Sequence, residues 1–244
     1  IDFVMEFYRS NVSEALQKVS FFHAQGIIHN NVSILRLHLH ENSLLNNEDE
    51  SETCIRIMLT KEVIEDSFLC QYLKQRNISK NIADTWCNEV HFTINEKEKI
   101  YRAKGFKNNA GGYELRNEYY KASSSPKYLT YVNNEADSIV VFEGFFDFLS
   151  YQTIHQNRPS FSPDFLILNS TSFFEKSCSF MEQHDCVRLY RDRDITGQNC
   201  TQKALESSHK YTDESSLYKG YNDLNEWMQH IGKSQKKGLG QSLK

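Results

Sequence analysis

Apolar and polar positions along the 244-residue chain fall into three regimes. Over Ile1 to His23, residues Phe3, Val4, Phe7, Val12, Ala15, Leu16 and Val19 recur at helical spacing, which predicts an amphipathic helix. His40 to Thr53 (HENSLLNNEDESET) is acidic, polar and aperiodic, as expected of a linker or exposed loop, so a boundary falls near residue 50. Beyond it, EVIEDSFLCQYL predicts a helix from Glu62 through Leu73, a break at Arg76-Asn77, and a second helix capped by Ser79 and running through Trp86. Strand-like pieces follow at Glu89 to Ile94 and Ile100 to Phe106, then the glycine pair of NNAGGYELRN and the stretch SSSPKYLTYV.

From Ile139 the pattern alternates. Ile139 to Phe142, Phe165 to Asn169 and Cys186 to Tyr190 are apolar runs of strand length, with a trace of a fourth at Leu217-Tyr218. Between and after them, Phe145 to His155, Phe173 to Gln183, Thr196 to Lys210 and Asp223 to Ile231 read as helices. Such alternation implies a parallel sheet with helices on both faces. The fold class is therefore α/β, and the chain divides into residues 1–50 (helix and linker), 51–135 (mixed α/β), 136–232 (the alternating unit) and 233–244, a basic tail expected to be disordered.

Composition changes little in this picture. A hydrophobic fraction of 39% with 25% charged residues is ordinary for a globular protein with a sizeable core. No apolar run approaches the roughly 18 residues that a membrane span requires, and the chain reads as soluble and intracellular. It opens on Ile1 in mid-pattern, as a fragment would. The six cysteines form no CxxC or CxxH pair, so neither a zinc ribbon nor a disulfide framework is legible. A net charge of −4 confines any nucleic-acid contact to a local patch.

Candidate chemistry lies at the ends of the alternating strands. In VVFEGFFDFLSYQ, Glu143 ends a strand, Gly144 can turn the chain, and Asp147 falls in the first helical turn, where its charge suits the helix dipole. In RDRDITGQ, Asp192 and Asp194 alternate at the end of another strand. If that chain stays extended, both carboxylates point to one side, as Mg²⁺ coordination favours. Each motif alone also fits a solvated strand end or a helix cap. Together they are more specific: neighbouring parallel strands would bring Glu143, Asp192 and Asp194 to one edge, where three repelling carboxylates call for a cation. Among basic residues, Arg116 and Lys127 suit phosphate contact, with Lys104 and Lys107 behind them. Tyr119 and Tyr120 could stack on bases, but a core role on an edge strand is the default.

The segments EGFFD, DRDITG and YNDLNEW resemble the motifs of the Toprim fold shared by bacterial primases, topoisomerases and some nucleases. From about Tyr72 onward the chain resembles the RNA-polymerase core of a bacterial primase. YLKQRNIS matches its opening helix-turn, GFKNNAGGYELRN its glycine turn and basic strand, and SSSPKYLT its Pro-Lys-Tyr element. IDFVMEFYRSNVSEAL is similar to the segment after the zinc ribbon in primases of Bacteroides-type mobile elements. By this resemblance Glu143 is the acid of the first motif, Asp147 its second acid, Asp192 and Asp194 the metal pair, and Asp223 the late acid. Two departures are Asn222 where the family has lysine, and LNSTSF, Leu168 to Phe173, where it has a glycine-containing turn; both bear on nucleotide handling rather than on metal.

The resemblance implies a Toprim-type parallel sheet preceded by a mixed α/β primase subdomain, and a cytoplasmic, Mg²⁺- or Mn²⁺-dependent enzyme making short RNA primers on single-stranded DNA. Its partners would be template and ribonucleoside triphosphates, with a helicase or relaxase of a plasmid or mobile element; zinc would enter only with an upstream ribbon. Two rival readings use the same acids: a Toprim nuclease, and a DNA-binding accessory that no longer polymerises.

Overall fold

In the computed structural model, residues 54–95, 99–156 and 162–231 are described. The helix expected over Ile1 to His23, the linker before Cys54 and the tail after Ile231 lie outside them.

The described chain builds two five-stranded sheets. The first is an antiparallel meander in sequence order: β1 (Ile55–Lys61), β2 (Cys87–Ile94), β3 (Tyr101–Lys107), β4 (Tyr113–Arg116) and β5 (Lys121–Ser123). Helices α1 (Ser67–Gln75) and α2 (Lys80–Trp86) connect β1 to β2. The sequence pattern predicts a helix start at Glu62 and leaves residues 54–61 without an element. Instead β1 runs to Lys61, and α1 starts after Asp66, whose carboxylate accepts from the N–H groups of Phe68 and Leu69 as an N-cap. The buried Glu89 on β2 fixes this corner by accepting from the N–H groups of Glu65 and Asp66. The expected break falls at Arg76-Asn77, where Asn77 takes a left-handed φ of 54°, a conformation that asparagine tolerates.

The second sheet has the order β10-β9-β7-β8-β6, built from β6 (Thr130–Val132), β7 (Ser138–Phe142), β8 (Asp164–Ile167), β9 (Cys186–Tyr190) and β10 (Tyr211–Asp213). β7 is parallel to both β8 and β9, β9 is parallel to β10, and β6 runs antiparallel to β8. Its helices are α3 (Phe145–His155), α4 (Phe173–Met181), α5 (Ile195–Ser207) and α6 (residues 224–231). The α/β class and the alternation from residue 138 are thus as expected, with one exception. Leu217-Tyr218 belongs to a 3₁₀ turn, Ser215–Tyr218, and the fourth parallel strand is Tyr211–Asp213. The apolar character of Tyr218 serves burial in that turn, where its hydroxyl donates to the carbonyl of Arg191 at 2.7 Å.

One continuous core joins the sheets. Leu69, Tyr72, Leu73 and Phe106 of the first pack with Phe142, Phe145, Phe148 and Phe165 of the second, and the Phe106 and Phe145 rings stack 5.2 Å apart and nearly parallel. Asn225 at the start of α6 adds polar ties: its Nδ2 donates to the carbonyl of Arg76 at 3.0 Å, and its Oδ1 accepts from Arg76 Nη1 at 3.1 Å.

Candidate active site

The register of β7 against β9 decides the site. Phe142 lies opposite Tyr190, so Glu143 and Arg191 leave the sheet side by side at the carboxyl edge. That edge is where open α/β sheets bind ligands. Asp192 follows at once, and Arg193 donates its N–H to the carbonyl of Asn222 at 2.7 Å, which draws the Asp223 segment against the same edge.

Neither half of the first motif is a solvated strand end. Glu143 is half-buried, with 14% of its side chain exposed. Asp147 is buried in the first turn of α3, where its Oδ1 accepts the N–H of Asn225 at 3.0 Å. Gly144 has φ −129° and ψ 158°, ordinary extended backbone, so the turn does not demand glycine there. Gly197 is the glycine the site requires: a Cβ on it would stand 2.1 Å from the carbonyl oxygen of Asp192, closer than any side chain can approach.

The second motif does not stay extended. Asp194 is exposed and caps α5, accepting from the N–H of Gly197 at 2.7 Å, while Asp192 turns inward and is half-buried. The acids nevertheless act on one another. Burial, then the charges of Glu143, Asp223 and Asp194, push Asp192 up to about 7. Burial followed by Asp223 and Asp192 holds Asp147 well above the usual carboxylate range. Burial also raises Glu143, against the opposing pull of Arg191. Asp223 accepts from the N–H of Glu226 at 2.6 Å and so also begins α6.

This crowd of partly desolvated carboxylates is chemically suited to a hard divalent cation, which takes oxygen ligands and relieves like-charge repulsion. Among the described residues, however, no three acidic, histidine or cysteine side chains converge on one point, so the three-carboxylate meeting expected from the sequence is absent as the side chains stand. Two carboxylates with water or phosphate completing the shell suffice for Mg²⁺.

Cations face the acids from two directions. Arg191 is 1% exposed, its Nη2 lies 3.2 Å from Oε2 of Glu143, and its guanidinium sits 4.4 Å from the centre of the Phe174 ring. From the first sheet, Arg116 feels the charge of Asp147, and Lys121 that of Glu143. Arg116 stands opposite Lys104 in the β3–β4 register. Lys127 and Lys107 are exposed, whereas Lys104 is fully buried, with Nζ 3.7 Å from the centre of the Tyr72 ring, and is closed to a phosphate. Tyr119 is 82% exposed and Tyr120 is also exposed, so neither has the core role assigned to it by default. Sequence reasoning missed Arg191 and Lys121; the signal for Arg191 was a charge in the inward-facing register at the end of an apolar strand, next to an acid motif.

Residues 140–228 match a family described as Toprim-like, and residues 58–125 match a domain family of unknown function, DUF8464. No curated protein matches the chain. Among solved structures, the primase fragment of the bacteriophage T7 primase-helicase protein superposes with a TM-score of 0.52 at 16% identity, covering 83% of this chain and 85% of that one. The zinc-binding and RNA-polymerase domains of the Aquifex aeolicus primase give a TM-score of 0.44 at 14% identity, over 99% of this chain and 69% of that one. No helix among the described residues is long and apolar enough to cross a membrane. The chain therefore carries a Toprim-like domain, with acids at the carboxyl edge of its sheet, in a primase-like fold.

Proposed function

We propose that this protein is a metal-dependent nucleotidyltransferase that makes short RNA primers on single-stranded DNA. The observation that carries the reading is a Toprim-like domain with Glu143 and Asp192 at the carboxyl edge of its sheet, joined through one core to a first sheet on which Arg116 and Lys121 stand opposite each other in register. A hydrolase needs the acids. A polymerase must also hold a template and a triphosphate against them, which is work for basic groups.

Asp192 and Asp194 would hold Mg²⁺ or Mn²⁺, with Glu143 beside them and Asp147 and Asp223 as accessory acids. When bound, the ion supplies Lewis-acid stabilisation of charge on the nucleotide phosphates. The chain's own residues do the rest. Arg116 and Lys127 neutralise phosphate, the guanidinium by paired hydrogen bonds and the ammonium as a point charge. The buried Asp147 supports α6 by accepting from Asn225. In the reaction, a primer 3′-hydroxyl attacks the α-phosphorus of a ribonucleoside triphosphate and pyrophosphate leaves, a step that depends on position and charge rather than on a covalent residue.

The test is synthesis of labelled RNA from ribonucleotides on single-stranded DNA, run beside a nuclease assay on the same strand. Primers should accumulate with Mg²⁺ or Mn²⁺, and Asp192→Asn should lower the rate by at least about 100-fold. Metal-dependent cleavage without synthesis would replace this reading by the nuclease one; tight DNA binding with neither activity would leave an accessory protein.

A further inference from the structure

We propose that Arg191 is a resident cation of the active site, held against Glu143 in the place of a second metal ion, so that the chain takes a single divalent cation at Asp192 and Asp194. The inference rests on the metal-dependent reading above and adds the number of ions and the residue that sets it.

Three observations carry it. The first is confinement. Arg191 is 1% exposed, its guanidinium lies over Phe174, and its carbonyl is pinned by the Tyr218 hydroxyl at 2.7 Å. Backbone and side chain are thus both fixed one residue before Asp192. The second is incomplete satisfaction. Among the described residues none of the three guanidinium nitrogens makes a hydrogen bond, and neither does the buried Oε2 of Glu143, although the two groups stand at ion-pair distance. A buried guanidinium does not shed its proton, so the field of the acids around it holds the charge in place. Glu143 is the acid at ion-pair distance, and Asp192 interacts with Arg191 electrostatically. The third is register. Because Phe142 pairs with Tyr190, Arg191 approaches Glu143 laterally along the sheet edge, a position set by backbone hydrogen bonding rather than by a mobile side chain.

The consequence is electrostatic. A divalent ion on Glu143 would stand within a few ångströms of a permanent positive charge in a partly desolvated pocket, where like charges are poorly screened. Asp192 feels Arg191 as well, but among the described residues Glu143 is the acid in an ion pair with it, and Asp192 and Asp194 are not. In two-metal phosphoryl-transfer sites a pair of ions shares the carboxylates; here one of those two positive charges is supplied by the polypeptide.

The measurement is a count of bound Mn²⁺ on the full chain without nucleotide, by the electron paramagnetic resonance signal of free Mn²⁺. Wild type should bind one Mn²⁺ per chain, and Asp192→Asn with Asp194→Asn should bind none. Arg191→Met should bind a second ion, which Glu143→Gln in the same chain removes, and Arg191→Lys should stay at one. If Arg191→Met does not fold, as judged by its melting curve, the wild-type count still decides. Two ions on the wild type, or one ion on a folded Arg191→Met, overturns the resident-cation proposal and leaves the metal-dependent reading intact. No Mn²⁺ on the wild type overturns both.

Discussion

The amine of Lys104 is fully buried between Tyr72 and Phe146, 3.7 and 5.0 Å from their ring centres, with no hydrogen-bond acceptor among the described residues. Burial lowers its pKa from 10.5 to about 7, against weaker upward pulls from Cys87 and Cys70. Between those values the unfolded chain binds a proton that the folded chain does not, so this lysine erodes stability as pH falls from about 10.5 towards 7 and no further below that. Lys104→Met, which keeps the stem and removes the amine, should therefore raise stability at pH 7 by roughly 1–3 kcal/mol and by less at pH 10, read from urea midpoints at the two pH values. Gly197 lies at the opposite extreme of tolerance. Gly197→Ala drives a methyl onto the Asp192 carbonyl, and the start of α5 must move away from the acid it positions. A loss of about 1–3 kcal/mol is expected, with loss of metal-induced stabilisation in the same melting experiment.

At the scale of elements, Asp194 caps α5 and, on the proposed reading, also binds the metal, and one pair of substitutions separates the two roles. As the N-cap of α5 it accepts from Gly197, and asparagine can do the same, whereas alanine cannot. Asp194→Asn should keep the melting temperature of the metal-free protein, Asp194→Ala should lose about 1 kcal/mol, and both should lose metal binding. Elements with a strong period were legible in the sequence: α3 and β9 match it residue for residue, because an apolar run bounded by a carboxylate or a polar turn leaves few other solutions. β1 was not, since its outward residues Met58 and Leu59 are themselves apolar and blur the alternation. β10 was not, since three residues carry no period. The acids were legible because Glu143 follows the apolar run of β7, and Asp192 and Asp194 follow that of β9. Arg191 and Lys121 were not, because their relation to Glu143 is lateral, across strands that the sequence separates by about fifty and twenty residues.

At the scale of the molecule, the shared core joins the sheet that carries the acid edge to the sheet that carries Arg116 and Lys121. On the proposed metal-dependent reading, the raised acids give the chain a metal-linked stability. Without metal, Asp192, with a folded pKa of about 7, stays protonated after the unfolded chain has released its proton, so stability is fully present below the ordinary carboxylate value of 3.8 and is lost as pH rises through about 7. A divalent cation binds the ionised form. Saturating Mg²⁺ should thus raise the melting temperature more at pH 8 than at pH 6, approaching about 2.7 kcal/mol at a hundredfold excess over its dissociation constant. The order of the second sheet has a consequence for how the chain reaches this state. The meander β1 to β5 pairs each strand with the one just made, so it can close as it is synthesised. β6 and β7 cannot pair with each other, because β8 lies between them, and β8 is encoded about thirty residues after β6. Until Asp164–Ile167 leaves the ribosome, two apolar strands wait with open edges, and that interval is when the nascent chain is most exposed to a chaperone or to a second copy of itself.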